Sequence, residues 1–337
     1  GFFSFRVHVH CAETNPICAF TGERLYLQQN VTITVMGVCE VQLISTHGNI
    51  TLAKNAQILA NRMTLKAKTD VTLLDCDSGV GGLRADGKSS ILTPGIFSDW
   101  GGSYGGSGGR RNGGSGGQNF AASQGNGEKY FSNLDSILGT HDVFDTFYPA
   151  YNDNKSDDIS IGRAGGNGTS NDNAGLGGGR VVILAGRTVH LGNATRISAE
   201  GSMPPDPNKS GGSGSGGSIA ISAYNITGNG AMMVRGGNAP KKGGAGGGGR
   251  ISLRISVDDY QPTSVFAMDP HSSHVLQTGS AGEDIQIFVT GGIDLGSRND
   301  GSLCTHGGAG TVFEGFMSAS QTLASGHLLV DNTLKDT

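Results

Sequence analysis

The sequence predicts an all-β protein, a right-handed parallel β-helix (solenoid) with glycine-rich loop insertions. Three observations predict it. First, a glycine run that opens directly onto an alternating strand recurs at Gly177–Ile183, Gly214–Ile221 and Gly246–Leu253, with a looser copy at Gly307–Phe313. Intervals of a few tens of residues mark a stacked repeat. Second, the segments between are short apolar/polar alternations without a 3.6-residue period, so they read as strands and not helices. Third, Ile50–Ala60 aligns without gaps on Val189–Ala199. Repetition of whole multi-strand units suits a solenoid and is not explained by a sandwich.

Residues 1–24 read as an N-terminal strand followed by a cysteine-bearing segment. Phe3, Phe5, Val7 and Val9 share one face and Ser4, Arg6, His8 and His10 the other. That period of two is a half-buried strand, and the paired histidines read as its wet face in preference to a metal set. Residues 25–98 form the first turns. Strands are expected at Leu25–Leu27, Val31–Val35, Val38–Ser45, Ile50–Leu52, Ile58–Ala60, Met63–Ala67 and Val71–Leu74, divided by Gly, Asn, Asp or Lys.

Residues 99–175 interrupt the repeat with a glycine-rich stretch and then an aromatic one, from Trp100 and Tyr104 to Tyr148 and Tyr151. Aromatic side chains carry large buriable area, so this insertion is expected to fold back on a flank or meet a neighbouring molecule. Residues 176–337 hold the remaining turns. There a strand such as Ser218–Ala223 comes first, then an inward pair such as Val189 and Leu191, then a strand such as Arg196–Ala199 that leads into a glycine loop. Ile226–Val234 is expected to follow Gly192–Ser198 in the same register. No polar capping helix follows Leu328–Asn332, so the far end reads as unprotected.

Glycine supplies 59 of 337 residues, while charged residues are only 15% and the net charge is −4. That balance excludes a general attraction to nucleic acid or to an anionic membrane surface. There is no apolar run of ~20 residues that would span a bilayer. The chain begins at Gly1 and reads as a piece of a longer secreted polypeptide. N-glycosylation sequons stand at Asn30, Asn49, Asn154, Asn167, Asn193, Asn208 and Asn225. The cysteines are Cys11, Cys18, Cys39, Cys76 and Cys304, with no zinc spacing. In an oxidising compartment Cys11–Cys18 and Cys39–Cys76 are the candidate bridges, with Cys304 left to pair elsewhere.

Several motifs match patterns that carry chemistry in other settings. Gly82–Ser89 satisfies the phosphate-loop pattern, yet Pro94 and Gly95 stop any helix that would complete it. The G-x-S-x-G matches between Gly101 and Gly117 are compositional. Arg110, Arg111, Lys241, Lys242 and Arg250 lie in glycine loops, but sequons and cysteines argue against an RNA-binding role. Asp75 and Asp77, with Arg84 and Lys88 nearby, are the candidates for a polysaccharide-cleaving site, and they read better as turn residues; Glu200 and Asp206 read as loop residues. Asn152–Asp158 is acidic enough for Ca²⁺ but lacks the EF-hand pattern. No cofactor is expected.

The units Gly244–Ile251 and Ile197–Gly201 make the chain resemble a family of large eukaryotic extracellular proteins with glycine-rich β-helix ectodomains. The family includes glycine-rich plant surface proteins and the subunits of mastigonemes, the hair-like filaments of flagella. The resemblance implies a structural glycoprotein without catalytic residues. The expected function is therefore a structural protomer of an extracellular filament or surface coat. Its partners are copies of itself, N-glycans and other extracellular proteins, and assembly is expected through the solenoid ends and Phe3, Phe5, Val7 and Val9. The alternatives are a carbohydrate-binding or carbohydrate-cleaving protein and an adhesin or receptor ectodomain.

Overall fold

The computed structural model describes residues 5–10, 17–36, 39–77, 81–87, 174–208, 211–239, 243–256, 266–268, 274–277, 284–293, 307–308, 310–317 and 323–331. Successive strands are laid in turn on three sheets, A, B and C. The first circuit is β1 (Phe5–His10), β2 (Ile17–Gly22) and β3 (Leu25–Leu27). The second is β4 (Val31–Met36), β5 (Glu40–Ser45) and β6 (Ile50–Leu52), and the third β7 (Gln57–Leu59), β8 (Arg62–Ala67) and β9 (Val71–Leu73). Then come β10 (Gly82–Arg84), β11 (Arg180–Ala185) and β12 (Thr188–Leu191), followed by β13 (Arg196–Ser198), β14 (Ser218–Ala223) and β15 (Asn225–Gly228). The last strands are β16 (Ala231–Met233), β17 (Arg250–Ser256), β18 (Phe266–Met268), β19 (His274–Gln277), β20 (Asp284–Phe288), β21 (Gly310–Met317) and β22 (Leu323–Asp331).

Sheet A runs β1-β4-β7-β10-β13-β16-β20-β19-β18, sheet B runs β2-β5-β8-β11-β14-β17-β21-β22, and sheet C runs β3-β6-β9-β12-β15. From β4 through β17, each strand therefore pairs in parallel with the third strand before it in the chain; beyond that point β16 pairs with β20 and β17 with β21, also in parallel. At the far end the parallel pairing gives way to antiparallel strands. There β18, β19 and β20 pair antiparallel, as do β21 and β22, so the outer edges of β20 and β21 are occupied.

Register converts the sequence alternation into columns. Val41, Met63, Val181, Ile219, Ile251 and Val312 lie one above another on the inner face of sheet B. Leu52, Leu73 and Leu191 do the same in sheet C. All nine are essentially inaccessible to solvent and belong to one continuous core. Burying each such side chain contributes about 1.5–3 kcal/mol. The strands stay short because the chain must turn between sheets. The turn from sheet C to sheet A uses a left-handed residue, Asn30 (φ 59°), Asn55 (φ 59°) or Ala194 (φ 55°). After β15 that turn shortens to Asn229-Gly230 and the left-handed residue becomes Gly228 (φ 107°). Ile226–Val234 therefore does not keep the expected register through the turn: Gly228 pairs with Leu191, whereas Ala231 pairs with Arg196.

Between sheets A and B the chain leaves the core on glycine-rich legs. The leg that returns to β14 bonds with a period of three. Ser213 and Gly216 donate to Gly244 and Gly247, and Gly214 and Gly217 donate to Ser202 and Ala199. Gly175 and Gly178 of the neighbouring leg donate to Gly212 and Ser215. An extended helix with three residues per turn and no internal hydrogen bonds offers its amides in this way, to several neighbours at once. Such close packing requires glycine. A Cβ on Gly216 would overlap the Val234 carbonyl oxygen, and one on Gly246 the Gly214 carbonyl oxygen.

Candidate functional site

The described residues form a groove of about 490 Å³ where the outer face of sheet A meets the glycine legs. Two rows of residues run beneath it, and of the first row Arg84 and Phe288 line it while Ser198 and Met233 are buried. Register places Arg84, Ser198, Met233 and Phe288 opposite one another on β10, β13, β16 and β20. Two residues further on, where each chain leaves the sheet, stand Asp86, Glu200, Arg235 and Thr290. Asp86 Oδ2 accepts from Arg84 Nε at 3.1 Å and from Ser198 Oγ at 2.8 Å, while its Oδ1 accepts from the Glu200 amide at 2.9 Å. Glu200 Oε1 accepts from Arg235 Nε at 2.5 Å, and the Arg235 guanidinium lies 5.5 Å from the Phe288 ring centroid. Arg84 pairs with Asp86 and Arg235 with Glu200, and Arg196 Nη1 lies 4.0 Å from Glu200 Oε2, so each carboxylate faces at least one guanidinium. Acceptors, donors and an aromatic face stand side by side, a surface suited to polar, hydroxylated ligands. Each carboxylate is already ion-paired, which does not favour a general acid–base pair.

Sequence reasoning placed Glu200 in a loop and passed over Asp86, so this groove was missed. The signal was present as Ala85-Asp86-Gly87, Ala199-Glu200-Gly201 and Val234-Arg235-Gly236, three copies of one position in the repeat. The carboxylates it weighed instead are turn residues. Asp77 pairs with Lys54 Nζ at 2.6 Å and accepts from Asn55, and these contacts hold its carboxyl below the usual range. Asp75 Oδ1 accepts from the Asn193 amide. The phosphate-loop match is spent on a strand: Gly82–Arg84 is β10, and the Gly82 amide donates to Ala56.

Cys18 and Cys39 are disulfide-bonded, and Cys76 is a buried free thiol. The expected Cys39–Cys76 bridge is thereby corrected. Cys39 sits at the corner between sheets A and B and Cys76 at the corner between sheets C and A, and a bridge needs Cα atoms within about 7 Å. Burial pushes the Cys76 thiol up from its ordinary range. Cys11 and Cys304 lie outside the described residues, as do Phe3, Asn154, Asn167 and the Asn152–Asp158 loop. Val7 and Val9 face the core side of sheet A, opposite Ile33 and Val35, and Phe5 stands opposite Val31 in the β1 backbone. Of the sequon asparagines, Asn193 and Asn208 are exposed, while Asn30, Asn49 and Asn225 are half-exposed.

Among the described residues no group of three or more His, Cys, Asp or Glu could hold a metal ion, and no helix is long and apolar enough to cross a membrane. The chain matches no protein-family model, no curated protein and no solved structure.

Proposed function

We propose that the three sheets wind as a right-handed parallel β-helix and that the protein is a structural protomer of an extracellular glycoprotein filament or surface coat, like the glycine-rich ectodomains it resembles. The observation that carries this reading is the first circuit. Among the described residues β1, β2 and β3 each pair on one edge only. The core-facing side chains of that circuit are left open, with Val7 48% and Phe20 39% exposed. Open strand edges around an exposed apolar cross-section template the addition of further strands, whether those of a longer polypeptide ahead of Gly1 or those of a neighbouring copy, and the proposal takes the neighbouring copy. The far end differs, because its last parallel strands in sheets A and B pair with antiparallel ones. A contact between unlike ends is head-to-tail, and where successive copies stack along one axis it propagates as an open filament instead of closing into a ring. Negative-stain imaging and light scattering should show linear assemblies of the wild-type protein. Val7→Glu with Phe20→Glu should reduce them to monomers with an unchanged far-ultraviolet spectrum. A wild-type chain that remains monomeric at high concentration overturns the proposal.

A second reading, a carbohydrate-binding protein, is favoured by the sheet-A groove and its Arg235–Phe288 pair. It requires an oligosaccharide to bind in calorimetric titration and Arg235→Ala to weaken that binding at least tenfold.

A further inference from the structure

The five sequon asparagines among the described residues are unevenly placed. Asn49 directly precedes β6 and Asn225 opens β15, both on sheet C. Asn30 and Asn193 stand in the turns that leave sheet C for β4 and β13. Only Asn208 lies away from that sheet, beyond β13 on the way to the returning glycine leg. Pairing of Ile50 with Val71, Val71 with Val189 and Thr188 with Asn225 sets Asn49, Asp70, Thr188 and Asn225 in one row along the edge of sheet C. Asn49 and Asn225 are three strand steps apart, about 14 Å.

The two strand sequons share a geometry that the two turn sequons lack. In Asn49-Ile50-Thr51 and Asn225-Ile226-Thr227 the isoleucine is in the core, so the strand's period of two sets the asparagine and the threonine together on the outer face. Asn49 Nδ2 donates to Thr51 Oγ1 at 3.0 Å, and Thr227 Oγ1 lies 3.0 Å from His190 Nδ1 on the neighbouring strand. In the turns the threonines are buried instead. Thr32 Oγ1 accepts from Gln57 Nε2, and Thr195 Oγ1 donates to the Gly192 carbonyl. The centre of the sheet-C face is a further row, Tyr26, Thr51, Thr72, His190 and Thr227, polar apart from the exposed ring of Tyr26.

We infer that the outer face of sheet C is the glycan-bearing face of the molecule, with N-linked oligosaccharides on Asn49 and Asn225. This rests on the extracellular reading above. The donor is a lipid-linked oligosaccharide diphosphate. The Asn Nδ2 forms a bond to the sugar C1, the C1–O bond to the diphosphate breaks, and Nδ2 gives up one proton as the lipid diphosphate leaves. Two bulky hydrophilic chains on one row keep this face in solvent. Lateral protein contacts are then left to sheets A and B.

The test is glycopeptide mass spectrometry of the chain secreted from glycosylation-competent eukaryotic cells. Asn49 and Asn225 should each be occupied in most molecules. Endoglycosidase applied without denaturation should strip both, and Asn49→Gln with Asn225→Gln should remove two glycans of mass while leaving the β-sheet spectrum unchanged. A secreted protein with glycans only at other sequons, or with either site protected from the enzyme, overturns the inference and leaves the extracellular reading standing. Absence of glycan from every sequon overturns both.

Discussion

At the scale of single residues, the tightest constraint is at the glycines of the legs. Gly216 has backbone where a side chain would go: the Val234 carbonyl oxygen and, 2.6 Å from an added Cβ, the Gly249 amide nitrogen. Gly216→Ala should destabilise the protein by about 1–3 kcal/mol or more in urea unfolding. Gly22→Ala is the control, since its Cβ would meet the flexible end of Leu25 at 3.2 Å and the Arg24 carbonyl oxygen at an ordinary 3.5 Å, and it should change stability by less than about 0.5 kcal/mol. Cys76 makes a second residue-scale prediction. Its thiol is raised by burial, so above about pH 8.5 the unfolded chain loses this proton before the native one does. The native state then binds more protons, and this thiol's contribution lowers stability as pH rises through that window. The fall in urea midpoint between pH 8 and pH 10 should be smaller in Cys76→Ala, and Cys76 should resist alkylation until the chain unfolds.

At the scale of elements, sheet B is stapled across three strands by one carboxylate. Glu40 on β5 accepts from Thr64 on β8 at 2.7 Å and from Arg180 on β11 at 2.9 Å, and both charged side chains are about 15% exposed. Glu40→Ala takes away the acceptor of two strands and should cost about 1.5–3 kcal/mol in denaturant unfolding. A cost under 0.5 kcal/mol would show that the staple is idle. The strands themselves were legible: β3, β6, β8 and β9 fall within a residue of the periodicity reading, because alternation reports which face is buried. The ungapped match of Ile50–Ala60 with Val189–Ala199 reproduces the structural equivalence, since Gln57 and Arg196 both pair with Gly82. The groove was not legible. Asp86 and Glu200 become neighbours only through pairing across more than a hundred residues, and local pattern carries no record of that pairing. The antiparallel ending was missed for a related reason, because alternation does not reveal strand direction.

At the scale of the whole molecule, residues 88–173 enter after β10 and end before β11, yet both strands are paired on both sides. Gly87 and Gly175 both lie against Ser202. Loop-closure entropy changes slowly with length, so exchanging 88–173 for a short Gly-Ser linker should leave the far-ultraviolet spectrum and a cooperative melt intact. A linker variant that loses β structure would make that segment part of the folding unit. The layout also fixes how the molecule answers force. In the parallel β-helix proposed above, the bonds between neighbouring circuits act side by side, three sheets together with the glycine legs, so tension along the stack loads them all at once. Tension through the two chain ends loads one circuit at a time. Such a molecule should resist as a spar along the stack and yield as a line through its ends, in steps of unequal length because successive circuits begin at residues 5, 31, 57, 82, 196 and 231.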